Sequence, residues 1–132
     1  TIHCAATPEG RDVKASTIEQ WDIAKFGQKS YHWIVTLDGA MHRSLPDDVR
    51  GAHVGGHNTG NIGVCYVGGC DKSMSKAKDT RTEAQKKSLL TLVRTYRARY
   101  PGIKVLGHRD WPGVKKDCPS FDVEEWLSEV AP

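Results

Sequence analysis

A chain of 132 residues, 38% hydrophobic and 27% charged, fits one globular domain large enough to bury a core without staples. No apolar run approaches the roughly 20 residues of a membrane-spanning helix, and a net charge of +3 without a Lys/Arg-rich block excludes an obvious nucleic-acid surface. The start, Thr1-Ile2-His3-Cys4, has neither a signal-peptide pattern nor an initiator methionine, as expected of a trimmed or excised chain.

In chain order, residues 2–6 read as a short buried strand. Ser16-Thr17-Ile18-Glu19 has capping-box spacing and predicts a helix through about Lys25. Residues 31–37 are β-rich, and Asp38-Gly39 predicts a hairpin into residues 40–43. The Gly/His-rich stretch 51–60 must be loop, and residues 62–67 form another apolar strand closed by Gly68-Gly69. Thr82 and Gln85 have capping-box spacing at the head of the longest helix, whose Leu89, Val93, Tyr96 and Tyr100 recur at helical intervals until Pro101-Gly102 stops it. Its Lys86, Lys87, Arg94, Arg97 and Arg99 read as a solvated face. Residues 104–106 read as a strand delivering His108, and Ser120 or Asp122 caps a last helix carrying Val123, Trp126, Leu127 and Val130. The order β-α-β-β-β-α-β-α predicts an α/β fold, a single domain with a mixed central sheet flanked by helices.

Chemistry concentrates in Gly107-His108-Arg109-Asp110-Trp111-Pro112-Gly113-Val114-Lys115-Lys116-Asp117-Cys118-Pro119-Ser120. An imidazole and a thiol stand ten residues apart in a Pro/Gly-broken loop, and Zn²⁺ favours nitrogen and sulfur donors. A third ligand would come from elsewhere, with His3 leading and His53 or His57 also in reach of a flexible loop. Two histidines and one thiolate leave a position open, the pattern of a catalytic zinc. The alternative is a buried Cys118 beside a surface His108. The four cysteines, Cys4, Cys65, Cys70 and Cys118, contain no CxxC pair, which disfavours zinc-finger and thioredoxin-type sites and suggests a reducing compartment. Cys65 and Cys70 would pair only across a turn at Gly68-Gly69.

Several motifs together resemble the zinc-dependent N-acetylmuramoyl-L-alanine amidases, the family of the amidase-type phage lysozymes and the peptidoglycan recognition proteins. They are His3-Cys4-Ala5-Ala6-Thr7; Ser30-Tyr31-His32-Trp33-Ile34-Val35 with Asp38-Gly39; Ala52-His53 with Asn61-Ile62-Gly63-Val64; Gly107-His108-Arg109-Asp110; and Lys116-Asp117-Cys118-Pro119-Ser120-Phe121-Asp122. They occur in family order across nearly the whole chain. The resemblance implies an α/β amidase domain in which His3, His108 and Cys118 bind zinc and Tyr31 and Lys116 are catalytic. Only two residues precede His3, fewer than the family has, which is expected of a chain truncated at its N-terminus.

On this resemblance residues 1–132 form a single catalytic domain cutting the amide between N-acetylmuramic acid and L-alanine in peptidoglycan, as a phage or prophage endolysin. Its partners are the stem peptide and muramic acid, with no nucleic acid or membrane, and the enzyme is expected to be a monomer made in the host cytoplasm and acting on the wall. Lys116 suits the developing oxyanion, and Tyr31 can donate to the carbonyl or orient water. No glutamate stands in a matching motif as the base. His53 and Asn61 are expected at the substrate, although a strand-capping role for Asn61 remains open. His57 is expected on the loop surface, His32 buried and hydrogen-bonded, and His42 solvent-facing. The rivals are a non-catalytic muropeptide recognition module, which retention of Cys118 beside both histidines argues against, and a structural zinc protein.

Overall fold

The computed structural model describes residues 1–132. Its elements are β1 (Ile2–Cys4), β2 (Thr7–Pro8), α1 (Ala15–Phe26), β3 (Trp33–Val35), β4 (Met41–Arg43), β5 (Val64–Tyr66), β6 (Gly69–Cys70), α2 (Glu83–Arg99), a 3₁₀ turn at His108–Asp110 and α3 (Val123–Val130). The main sheet runs β1-β5-β3-β4, parallel except for the β3–β4 hairpin. That hairpin closes at Asp38, whose carboxylate accepts from the Ala40 N–H at 3.0 Å and the Thr36 hydroxyl at 2.6 Å. No helix is long and apolar enough to cross a membrane.

Strand register determines which way His3 faces. Side chains alternate along a strand, and the paired rows are Ile2/Val64/Trp33, His3/Cys65/Ile34 and Cys4/Tyr66/Val35. The outer rows pack into the main core with Leu89, Leu92 and Val93 of α2 and with Phe121, Val123, Trp126 and Leu127. The middle row faces the other way, where Ile34 packs with Val13, Ile18 of α1 and Val67. His3 is therefore buried on the side of the sheet turned away from α2 and α3, at 1% exposure.

Several sequence expectations need correction. The Ser16 box does not form: α1 starts at Ala15 with Lys14 at the cap and no side-chain cap bond. Residues 104–106 are not a strand. The Ile2 N–H donates to Leu106 O at 2.8 Å, and the one bridge to β1, from Ile2 to Gly107, falls just beyond them. Tyr31 lies just ahead of β3. The small parallel β2–β6 pair was not anticipated. By contrast, α2 carries the expected reciprocal cap between Thr82 and Gln85, and Asp122 rather than Ser120 caps α3. All four cysteines are free.

Candidate metal centre and active site

Three segments, one of them distant in sequence from the other two, bring nitrogen and sulfur donors together. β1 supplies His3, the 3₁₀ turn supplies His108, and the loop after it returns Cys118. One donor atom from each lies within 4.8 Å of the others. The return is held by the Arg109 N–H donating to Cys118 O at 2.8 Å, the Tyr66 hydroxyl donating to Pro119 O at 2.6 Å, and the Ser120 hydroxyl donating to Gly69 O at 2.8 Å. The loop is thus tied to the 3₁₀ turn at Cys118 and to the strands just after it.

The donor set suits a metal such as zinc. His3 Nδ1 faces Cys118 Sγ at 3.8 Å, and the Cys4 peptide N–H donates to that sulfur at 3.2 Å. The rings of His3 and His108 lie 4.6 Å apart. Burial holds both histidines below the usual imidazole range, with the Lys116 charge adding to the effect, so both are neutral, as ligation requires. Contact with the Cys4 thiol, and then burial, push the Cys118 thiol up. A sulfur held this way gives up its proton when a cation shares the site. No carboxylate belongs to the cluster.

Tyr31 and Lys116 flank these donors. The Tyr31 ring lies 5.2 Å from that of His3, and burial raises its hydroxyl well above the usual phenol range, so it keeps its proton. Lys116 is exposed on the loop two residues before Cys118, and its charge is felt at both histidines.

His53 and Asn61 are placed differently from a simple substrate wall. His53 is 8% exposed. Its Nδ1 lies 2.9 Å from His3 Nε2 and its Nε2 lies 2.9 Å from the Asn61 carbonyl oxygen. The Asn61 side chain accepts from the Thr1 hydroxyl at 2.8 Å and donates to His57 O at 2.8 Å, tying down the loop. His57 is exposed and stacks on Trp111 at 4.7 Å, a contact between the 51–60 loop and the loop leading to Cys118 that sequence reasoning missed. His32 is buried with Nε2 on Val49 O at 2.7 Å and Nδ1 accepting from the Gly63 N–H at 3.0 Å. His42 is exposed. Nothing in a single sequence pairs residue 3 with residue 53, so the contact behind His3 had no sequence signal.

The model of the family described as N-acetylmuramoyl-L-alanine amidase matches residues 1–121. The endolysin of Klebsiella phage KP32 is 34% identical over 126 residues, covering 95% of this chain and 82% of that protein. The endolysin of Escherichia phage T7 is 35% identical over 126 residues, with the same coverage of both. Among solved structures, the Ph2119 endolysin from the Thermus scotoductus MAT2119 bacteriophage Ph2119 superposes with a TM-score of 0.79 at 20% identity, covering 97% of this chain and 80% of that one.

Proposed function

Because the chain belongs to the N-acetylmuramoyl-L-alanine amidase family, we propose that His3, His108 and Cys118 hold a zinc ion beside which Tyr31 and Lys116 act. As a member it is a hydrolase of peptidoglycan, cutting the amide between N-acetylmuramic acid and L-alanine, and its endolysin relatives make a phage lytic enzyme its role. Residues 1–132 serve as a single catalytic domain, working as a monomer on the muramic acid and stem peptide. The enzyme is made in the host cytoplasm and acts on the wall.

An amide resists hydrolysis because its carbonyl is a poor electrophile and its nitrogen a poor leaving group. A bound zinc ion supplies Lewis acidity toward the carbonyl oxygen and acidifies water toward neutral pH. The protein supplies the rest. Lys116 offers a positive charge for the carbonyl oxygen as it becomes negative, a contribution typically worth about 10²–10³ in rate. Tyr31, kept protonated by burial, donates a hydrogen bond at the same locus and orients the attacking water. With no carboxylate among the donors, these two are the proton-bearing side chains at hand, and the departing nitrogen draws its proton through them.

The observation that carries this reading is the convergence of three donors from three segments within 4.8 Å. Purified peptidoglycan should release new alanine amino termini with the native enzyme. Release should cease after exhaustive chelation and return with Zn²⁺. Turnover that persists in metal-stripped protein would overturn the zinc assignment.

A further inference from the structure

His53 looks at first like part of an open groove, but its ring is sealed from two sides. A Cβ added at Gly63 would lie 2.8 Å from the His53 ring, and one added at Gly51 would lie 3.0 Å from His53 Cδ2. Neither glycine has a backbone conformation that demands glycine; close approach to this ring explains Gly63, whereas at Gly51 the Ser30 carbonyl oxygen is the nearer obstacle to an added Cβ and the His53 ring the second. The loop N–H groups of His53 and Val54 both donate to the Asn58 side-chain oxygen, at 2.9 and 2.8 Å, which fixes the backbone that carries the ring.

The hydrogen-bond order through this ring is determined by one carbonyl. The oxygen of Asn61 can only accept, so His53 Nε2 must carry the proton. A neutral ring then has a bare Nδ1, which accepts from His3 Nε2–H. His3 in turn is left with a bare Nδ1, the atom that faces Cys118. We propose that His53 is a positioning residue: pinned between Gly51 and Gly63, it relays the polarity of the Asn61 carbonyl to His3 and holds it in the tautomer whose Nδ1 is free for the metal. Partners of this kind orient a ligand and strengthen it as a base. This role rests on the metal reading above, and it places His53 behind the ligand rather than against substrate.

The test separates the tautomer from the metal. In metal-free protein labelled with ¹⁵N-histidine, long-range ¹H–¹⁵N spectra should show His3 protonated on Nε2. His53→Gln keeps a donor for Asn61 O and an acceptor for His3, whereas His53→Leu fills the space and offers neither. Zinc affinity, read by competition with a chromophoric chelator, should fall about 10–100-fold in His53→Leu and stay near wild type in His53→Gln. Gly63→Ala, which pushes the ring without removing its nitrogens, should weaken zinc between those limits. Equal affinity in His53→Leu and wild type would overturn the proposal, as would equal losses in Leu and Gln or a wild-type His3 protonated on Nδ1. If His53→Leu does not fold, the wild-type spectrum and Gly63→Ala carry the test. A wild type that binds no zinc while His3 keeps its Nε2 proton refutes the metal reading and leaves the tautomer assignment standing.

Discussion

Lys116 and Cys118 are two residues apart, yet their substitutions should behave differently. Lys116 is exposed and outside the donor set, so Lys116→Ala should keep a full complement of zinc and lose about 10²–10³ in kcat. Cys118→Ser should lose the metal along with the activity. Metal content beside turnover on peptidoglycan distinguishes the two, and a Lys116→Ala enzyme at wild-type rate would remove Lys116 from the mechanism. Acid should act through the buried rings. His3, His32, His53 and His108 are all depressed, chiefly by burial, with His53 at about 4. A histidine whose folded pKa is lowered takes up its proton more readily when unfolded. Its neutral form therefore supports the fold above about pH 6.5, and that support drains away as pH falls through the folded value. The metal-free protein should lose urea resistance between pH 7.5 and 5.5. His32→Gln, able to serve Val49 O and the Gly63 N–H alike, should lose less, and an equal slope in both proteins would contradict this. The three donors were legible because each stands in a short motif of chemically distinctive residues. The contact of His53 with His3 was not legible, since it joins positions 50 residues apart.

Among the elements, α2 shows how a short sequence signal can do more than start a helix. Thr82 Oγ1 accepts from the Gln85 N–H at 3.0 Å while Gln85 Oε1 accepts from the Thr82 N–H at 2.9 Å. Gln85 is wholly buried, and its Nε2 also donates to Val67 O at 2.9 Å and Val35 O at 3.3 Å, just past β5 and at the end of β3. Thr82→Ala should cost about 1 kcal/mol, a lost cap. Gln85→Leu should cost about 3 kcal/mol, because it also strands two buried carbonyls. Urea titrations check the ranking, and a Gln85→Leu protein no weaker than Thr82→Ala would refute it. This cap was legible because propensity and packing agree there. At α1 they did not: Ser16 has the right spacing, but the cap falls two residues earlier at Lys14, leaving Ser16 exposed in the first turn. Residues 104–106 have the composition of a strand but do not become one, and the single bridge to β1 forms at Gly107 beyond them.

Across the molecule, the ligand loop and β1 should depend on metal far more than the helical face does. Free zinc at 1,000 times its dissociation constant should add about 4 kcal/mol to stability, since only the folded chain assembles the site. Amide exchange should locate that gain, with chelation raising exchange in β1 and at 107–118 while the middle of α2, packed through Leu89, Leu92 and Val93, stays protected. Uniform loosening would mean that the donors are not held locally by the metal. The parallel pairing of β1 with β5 and its bridge to Gly107 have a kinetic counterpart. Every partner of the first strand is translated long after it, so β1 waits unpaired while the ribosome makes the rest. The donor set closes only when Cys118 emerges, across nearly the full contour of the chain. Such long-range closure is slow compared with helix formation. A nascent chain stalled before that cysteine would lack the third donor and α3 alike, and should have no hydrolytic activity. A wall-cutting enzyme built this way gains its activity only after translation has passed Cys118, the last donor to be made.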